Sequence, residues 1–299
     1  MADYHPEPIL LIGEPREDYR LIDSGDGRKL EGYGRYRFIR PEPQAMWSPR
    51  LDDWQADGEF VPASDEDGGG RWQLEPHVPA DGWPLQWEEV RFTAINTPFR
   101  HLGFFPDMDP VWRWLRGHLD AVTEAGRQAE ALNLFGYTGV GTLALAATGA
   151  RLTHVDASKK SVGQARANAE LSGLSDLPVR WLIDDAAKFA AREVRRQRRY
   201  DAILLDPPKF GRGPTGETWR LEQDLPGLIA DCGRLLDDSS RALFLTVYAV
   251  RMSALALGEL LNDHLGHLPG RIEVGELAVR EESAGRMLPT AIFARWENC

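Results

Sequence analysis

Apolar positions along the chain keep two rhythms, and the change falls near residue 109. Upstream, short apolar runs are broken every few residues by Gly, Pro and Asp, which predicts strands and turns rather than helices. ILLIG at 9–13, YRLIDSG at 19–25 and GYGRYRFIRP at 32–41 are the strand candidates. Asp26-Gly27 suits a hairpin turn. The near-repeats DDWQADGEFVP and GGGRWQLEP predict a further hairpin around Gly68–Gly70, with residues 63–70 as an exposed, mobile tip.

Downstream, Pro110 to Glu124 has apolar residues at 111, 114, 115, 119 and 122, which is helical spacing. Strands and helices then alternate. The strands are ALNLF (131–135), RLTHVD (151–156), VRWLI (179–183), YDAILLD (200–206) and RALFLTVY (241–248). The helices that follow them span 139–148, 158–172, 186–197, 218–236 and 254–265. Five such units predict a doubly wound, mostly parallel α/β sheet. RIEVGELAV (271–279) and TAIFARW (290–296) have no helix between them and close the sheet as an antiparallel hairpin, making seven strands. The expected division is a β-rich domain or extension at 1–95 and the α/β domain at 96–299. Ligands in such sheets sit at the carboxyl ends of the strands, where the strand order switches.

Composition narrows the class. With 299 residues, 42% apolar and 27% charged, the chain is neither disordered, collagen-like nor a coiled coil. Its longest apolar run, Ala242 to Val250, is far short of the ~20 residues that span a bilayer, and MADYHPEP does not read as a signal peptide. Two cysteines, Cys232 and Cys299, suit a reduced, cytoplasmic protein. The net charge of -11 is uneven: residues 1–95 hold 20 acids against 10 bases, residues 96–299 hold 26 against 25. Global acidity argues against nucleic acid, but the acidity lies outside the α/β part.

Candidate chemistry sits at the predicted strand ends. Gly136, Gly139 and Gly141 form G-x-x-G-x-G between a strand and a helix, unlike the dehydrogenase order G-x-G-x-x-G. Such a turn lets the backbone approach a ligand, and it can equally be a purely structural β–α turn. The next strand ends at Asp156, an acid placed to accept from both ribose hydroxyls of an adenosine; it could instead cap the following helix, a role for which Ser158 competes. The third ends at Asp184-Asp185, either of which could meet an adenine amino group or cap a helix, with Asp185 preferred. A Gly turn followed by two acids suits a nucleoside with no phosphate to hold, such as S-adenosylmethionine (SAM). The fourth strand ends in Asp206, Pro207, Pro208, Lys209 and Phe210. Two prolines stiffen that exit, and Phe210 offers a flat face for a planar base.

In combination, NLFGYTGVGTLALAATGA, THVDASKKSV and DPPKFGRG resemble class I SAM-dependent methyltransferases, with their Rossmann-like seven-stranded sheet. They are most similar to bacterial large-subunit rRNA methyltransferases acting on cytosine C5 or guanine N7. The resemblance covers roughly residues 95–299, and PFRHLGFFPDMDPVW (98–112) resembles the segment that precedes the fold. It implies SAM contacts from Phe135, Gly136, Tyr137, Thr138, Gly139, Gly141, Asp156, Ala157, Asp184 and Asp185, and a cleft lined by Phe104, Phe105, Pro106 and Asp107. Asp206 would face the methionine or methyl region.

The resemblance departs at one place. Cytosine C5 is a poor nucleophile, and enzymes of that kind attack C6 with a cysteine after the fifth strand. Here that strand reads FLTVYAVRMS and has none. Cys232 falls in a predicted helix and reads as a core residue. Transfer to a nitrogen needs no covalent intermediate, only proximity and orientation. The expected function is therefore SAM-dependent methylation of an RNA base, most plainly rRNA, without a cysteine nucleophile. The alternatives are a protein or small-molecule methyltransferase and a SAM-binding protein without turnover. Lys209, Arg212, Arg220 and Arg251 flank the expected mouth and are the candidate phosphate contacts. The run of arginines at 192, 195, 196, 198 and 199 reads as a solvated helix end, and His154 as structural. The histidines show no metal spacing, so no metal is expected; the oligomeric state stays open.

Overall fold

The computed structural model describes residues 1–63, 69–97, 100–248 and 251–298. The chain opens with β1 (Asp3–Gly13), β2 (Tyr19–Gly25), β3 (Arg28–Tyr33), β4 (Tyr36–Pro41), β5 (Gly58–Pro62), β6 (Gly70–Leu74), β7 (Trp83–Trp87) and β8 (Val90–Ala94). Then come α1 (Asp109–Glu124), β9 (Glu130–Leu134), α2 (Val140–Ala146), β10 (Arg151–Asp156), α3 (Lys159–Ser172), β11 (Val179–Ile183), α4 (Ala186–Arg195) and β12 (Ala202–Leu205). The remainder is β13 (Phe210–Arg212), β14 (Thr218–Arg220), α5 (Leu221–Arg234), β15 (Ala242–Tyr248), α6 (Ala254–Leu265), β16 (Arg271–Arg280) and β17 (Met287–Glu297).

The chain packs as two compact units. One holds Met1–Leu11, Asp109–Leu277 and Thr290–Cys299; the other holds Ile12–Met108 and Ala278–Pro289. The first is built on a sheet in the order β1-β16-β17-β15-β12-β9-β10-β11. Its central strands are parallel, and β17 runs antiparallel to β15. The seven expected strands are thus joined by an eighth, β1, at the edge beside β16. Strands buried on both faces need unbroken apolar runs, and β12 (AILL) is buried at every position. α2 is buried along its whole length, so VGTLALA is made of residues small enough to pack tightly. Among the described residues no helix is long and apolar enough to cross a membrane.

The second unit carries a five-stranded sheet in the order β2-β3-β4-β5-β6 and the pair β7-β8. Asp26 and Gly27 turn β2 into β3 with φ of 50° and 73°, the left-handed pair a tight hairpin needs. GYGRYRFIRP is not one strand: Gly34, at φ 62°, turns the chain between β3 and β4. Of the expected tip at 63–70, residues 64–68 lie outside the described residues. The core holds Leu21, Tyr33, Phe38 and Phe92, with Phe38 stacked on Trp83 at 5.4 Å. Within it lies a buried ion pair, Arg40 Nε to Glu31 Oε2 at 2.6 Å, to which the Tyr19 hydroxyl adds a 2.8 Å bond on Oε1. Burial by itself would raise the Glu31 pKa, but the Arg40 and Lys29 charges outweigh it and hold the carboxyl at about 2.

Candidate functional site

Register brings the strand ends of the first unit to one level. Leu134 pairs with Val155 on one side and Leu205 on the other, Leu205 pairs with Leu245, and Asp156 pairs with Ile183. Phe135, Asp156, Asp184 and Asp206 therefore leave the sheet along one edge. The switch in strand order falls there, between β9 and β12.

The loop after β9 is strained. Phe135 and Tyr137 hold φ of 60° and 49°, and Gly139 follows at 77°. Bulky residues in that region cost about 1–3 kcal/mol each and persist only where neighbours hold them. Three hydrogen bonds do so: Gly136 N to Val155 O at 3.1 Å, Tyr137 N to Asp156 Oδ2 at 2.9 Å, and Asn168 Nδ2 to Thr138 O at 2.9 Å.

Each glycine of the motif is required by the protein's own packing. A Cβ on Gly136 would sit 2.4 Å from His154 Nδ1, one on Gly139 2.6 Å from Ala165 Cβ, and one on Gly141 2.6 Å from Trp112 Nε1. His154 is buried under the loop, and burial lowers its pKa to about 3, so the ring is neutral. Asn133 Nδ2 donates to Thr142 Oγ1 at 2.9 Å, which leaves the Thr142 hydroxyl to donate to His154 Nδ1 at 2.8 Å. The expected structural role of His154 is the one the fold gives it.

Ser158 caps α3 by accepting from Ser161 N. Asp156 is thereby released from capping and spends its carboxylate on the loop, accepting from Tyr137 N on Oδ2 and Ser158 N on Oδ1 at 2.8 Å. Burial raises its pKa, partly offset by these two donors. A carboxylate has about four acceptor sites, so each oxygen retains capacity for one hydroxyl. That capacity matches a ribose diol, the group through which the nucleoside of SAM would be held. The donor set therefore fits SAM.

Asp185 caps α4, accepting from Lys188 N at 2.9 Å. Asp184 is engaged by Arg192 and by Asp185 N. Of the arginine run, Arg192, Arg196, Arg198 and Arg199 all pair with carboxylates: Asp184, Glu193, Glu130 and Asp237. These cations serve the fold.

At the fourth strand end, Asp206 accepts from Thr246 Oγ1 at 2.7 Å. Pro207 is buried, while Pro208, Lys209 and Phe210 are exposed. The expected loop and helix at 218–236 begin instead with a hairpin: β13 pairs antiparallel with β14, placing Phe210 opposite Arg220 and Arg212 opposite Thr218. Alternation splits its two faces. Trp219, 4% exposed, turns inward, and Phe210, Arg212, Thr218 and Arg220 all lie on the exposed side. The Trp219 indole N–H donates to Pro208 O at 2.7 Å, and its ring meets Phe135 at 5.1 Å. Among the described residues no carboxylate forms an ion pair with Lys209, Arg212, Arg220 or Arg251.

Cys232 is fully buried in α5, and burial pushes its thiol well above the ordinary range, so it is no nucleophile. Cys299 lies outside the described residues, as do Ala249 and Val250 after β15 and Pro98 and Phe99 before the Phe104–Asp107 segment. Phe104 is packed in the second unit's aromatic core, 4.5 Å from Phe92, and Phe105 lies against His101 at 5.6 Å. Pro106 and Asp107 form a short 3-10 turn there. Asn168, Thr142 and Trp219 were not legible as site residues, since each reaches the loops through tertiary contact alone.

Comparison with known proteins agrees with this geometry. The profile of S-adenosylmethionine-dependent methyltransferases matches residues 67–244. The crystal structure of a SAM-dependent methyltransferase from Agrobacterium tumefaciens is 44% identical, with a TM-score of 0.92 over 99% of this chain and 95% of that one. Ribosomal RNA large subunit methyltransferase K/L of Hahella chejuensis is 33% identical over 156 residues, 52% of this chain and 20% of the relative. Ribosomal RNA large subunit methyltransferase I of Aeromonas salmonicida is 34% identical over 96 residues, 32% of this chain and 24% of the relative. The chain thus spans about a fifth to a quarter of the length of these curated relatives.

Proposed function

The chain belongs to the SAM-dependent methyltransferases, and we propose that its acceptor is a base of RNA, most plainly rRNA, methylated without a covalent cysteine intermediate. SAM, when bound, supplies a sulfonium methyl that a lone pair can take directly. In this reading Asp156 accepts from the ribose hydroxyls, and the backbone of 135–141 lies along the nucleoside. Ala157, Asp184 and Asp185 border the adenine. Asp206, held by Thr246, orients the acceptor's nitrogen. With Cys232 buried and no cysteine on β15, the acceptor atom must be nucleophilic in its own right.

The observation that carries the RNA reading is the outer face of the β13–β14 hairpin. It presents an aromatic ring, 54% exposed in Phe210, directly opposite Arg220, with Lys209 and Arg212 beside it. A stacking surface among cations without carboxylate partners suits single-stranded nucleic acid. The names of the curated relatives point the same way. Incubation with methyl-labelled SAM and rRNA from a strain lacking the gene tests the reading. Label in an RNA base is the expected result; label confined to protein or small molecules would overturn it.

A further inference from the structure

Pro207 and Pro208 have no backbone N–H, so the chain leaving β12 cannot be tied down by its own donors there. Two side chains from other elements hold it instead. Thr246 Oγ1 donates to Asp206 Oδ1, and Trp219 Nε1 donates to Pro208 O, each at 2.7 Å. Trp219 does more than Thr246. Its buried ring also lies 5.1 Å from the ring of Phe135, at 57° to it. Phe135 is the residue at φ 60° that opens the loop after β9. One indole therefore touches both loops.

We propose that Trp219 is a positioning residue for methyl transfer, fixing the acceptor-side loop through its N–H and the cofactor-side loop through its ring. The inference rests on the methyltransferase reading of those loops. Displacements of about 1 Å between reacting groups cost roughly 100-fold in rate. A rigid brace between the loops is one way to prevent them. The hairpin has a matching reason to exist: it carries Trp219 inward on the strand pair whose other face carries Phe210 and Arg220.

Two variants separate the two contacts. Trp219→Phe keeps a ring against Phe135 and loses the N–H; Trp219→Leu loses both. Calorimetric titration with SAM alone should give Trp219→Phe a Kd within about two-fold of wild type and Trp219→Leu one about ten-fold weaker. With rRNA as acceptor, Trp219→Phe should lose roughly 10- to 100-fold in kcat at unchanged KM for SAM. A merely structural tryptophan would lower the fraction of folded protein without splitting kcat from KM, so activity is counted per SAM-binding site. Trp219→Leu binding SAM as wild type does, or Trp219→Phe with wild-type kcat per site, overturns the proposal. Wild-type protein that binds no SAM would overturn the methyltransferase reading itself. Wild-type protein that binds SAM but leaves RNA unmethylated would overturn only the RNA acceptor, and the Kd contrast between the variants would still decide the brace.

Discussion

The hydroxyl of Thr246, in β15, donates a 2.7 Å hydrogen bond to Oδ1 of Asp206, the residue that follows β12. It also lies 3.4 Å from the carbonyl of Leu205. A side chain on the neighbouring strand thus sets the direction of the one acidic group on the double-proline loop. Thr246→Val keeps the shape and removes the donor. It should lower kcat roughly 10- to 100-fold and leave the SAM Kd within about two-fold, measured by steady-state transfer to rRNA and by calorimetry. Equal losses in both would place Thr246 in overall folding rather than in orientation.

Asp156 holds the strained loop, and in the proposed site it also takes the ribose. Asp156→Ala removes the acceptor of Tyr137 N and both hydroxyl acceptors at once. Each hydrogen bond to a charged group is worth about 1.5–3 kcal/mol, so SAM affinity should fall at least about 100-fold in calorimetry. Binding unaffected by the substitution would exclude Asp156 from the cofactor site.

Gly136→Ala should destabilise the first unit, because the new methyl meets the His154 ring 2.4 Å away, with Trp181 on that ring at 4.8 Å. Overpacking of this kind costs about 1–3 kcal/mol. Adding His154→Ala should recover part of that loss, read as a coupling in a double-mutant cycle of chemical unfolding. Additive losses would mean that the glycine answers to something other than His154.

Replacing Cys232 and Cys299 with alanine should leave transfer to RNA unchanged per folded molecule. The Cys232 thiol is buried and its pKa is raised by burial, so it has no thiolate to offer. Loss of turnover with SAM binding intact would restore a cysteine mechanism.

The acid dependence of folding follows from Glu31 and Glu297. Burial opposes the ionised form of Glu31, but Arg40 and Lys29 outweigh it, and its pKa falls from an ordinary 4.5 to about 2. Glu297 reaches about 2 through His118 and Arg271, against its own burial. A folded pKa below the unfolded one stabilises the fold above about pH 4.5 and loses that contribution as pH falls toward 2. Glu31→Gln leaves Arg40 buried without its charge, which costs about 3–5 kcal/mol near neutrality. Thermal unfolding followed from pH 5 down to pH 2.5 should therefore start lower in the variant and decline less steeply. A parallel decline would remove Glu31 from the acid response.

Much of the α/β architecture was legible because its signal is local. β10, β11 and α6 keep the bounds that their apolar runs predict, and the acids that end those runs are where the register needs them. β7 was not read from the sequence, although its signal is local: Trp83, Leu85 and Trp87 are buried while Pro84 and Gln86 are exposed, a period of two within WPLQW. The β13–β14 hairpin was hidden because strands of three residues are too short to show a period. The glycines were legible as a motif but not in cause. That Gly136 answers to His154, Gly139 to Ala165 and Gly141 to Trp112 depends on neighbours far along the chain. The arginine run reads in the sequence as a solvated helix end, and what the sequence does not show is that Arg192, Arg196, Arg198 and Arg199 each find a carboxylate.

The central claim is transfer of a methyl group to RNA through Asp206 and its loop. Mass spectrometry of rRNA nucleosides tests it most directly, in a deletion strain complemented with wild type or with Asp206→Ala. The account predicts one methylated base missing in the deletion, restored by wild type and not restored by Asp206→Ala. Identical nucleoside profiles in all three strains would contradict it.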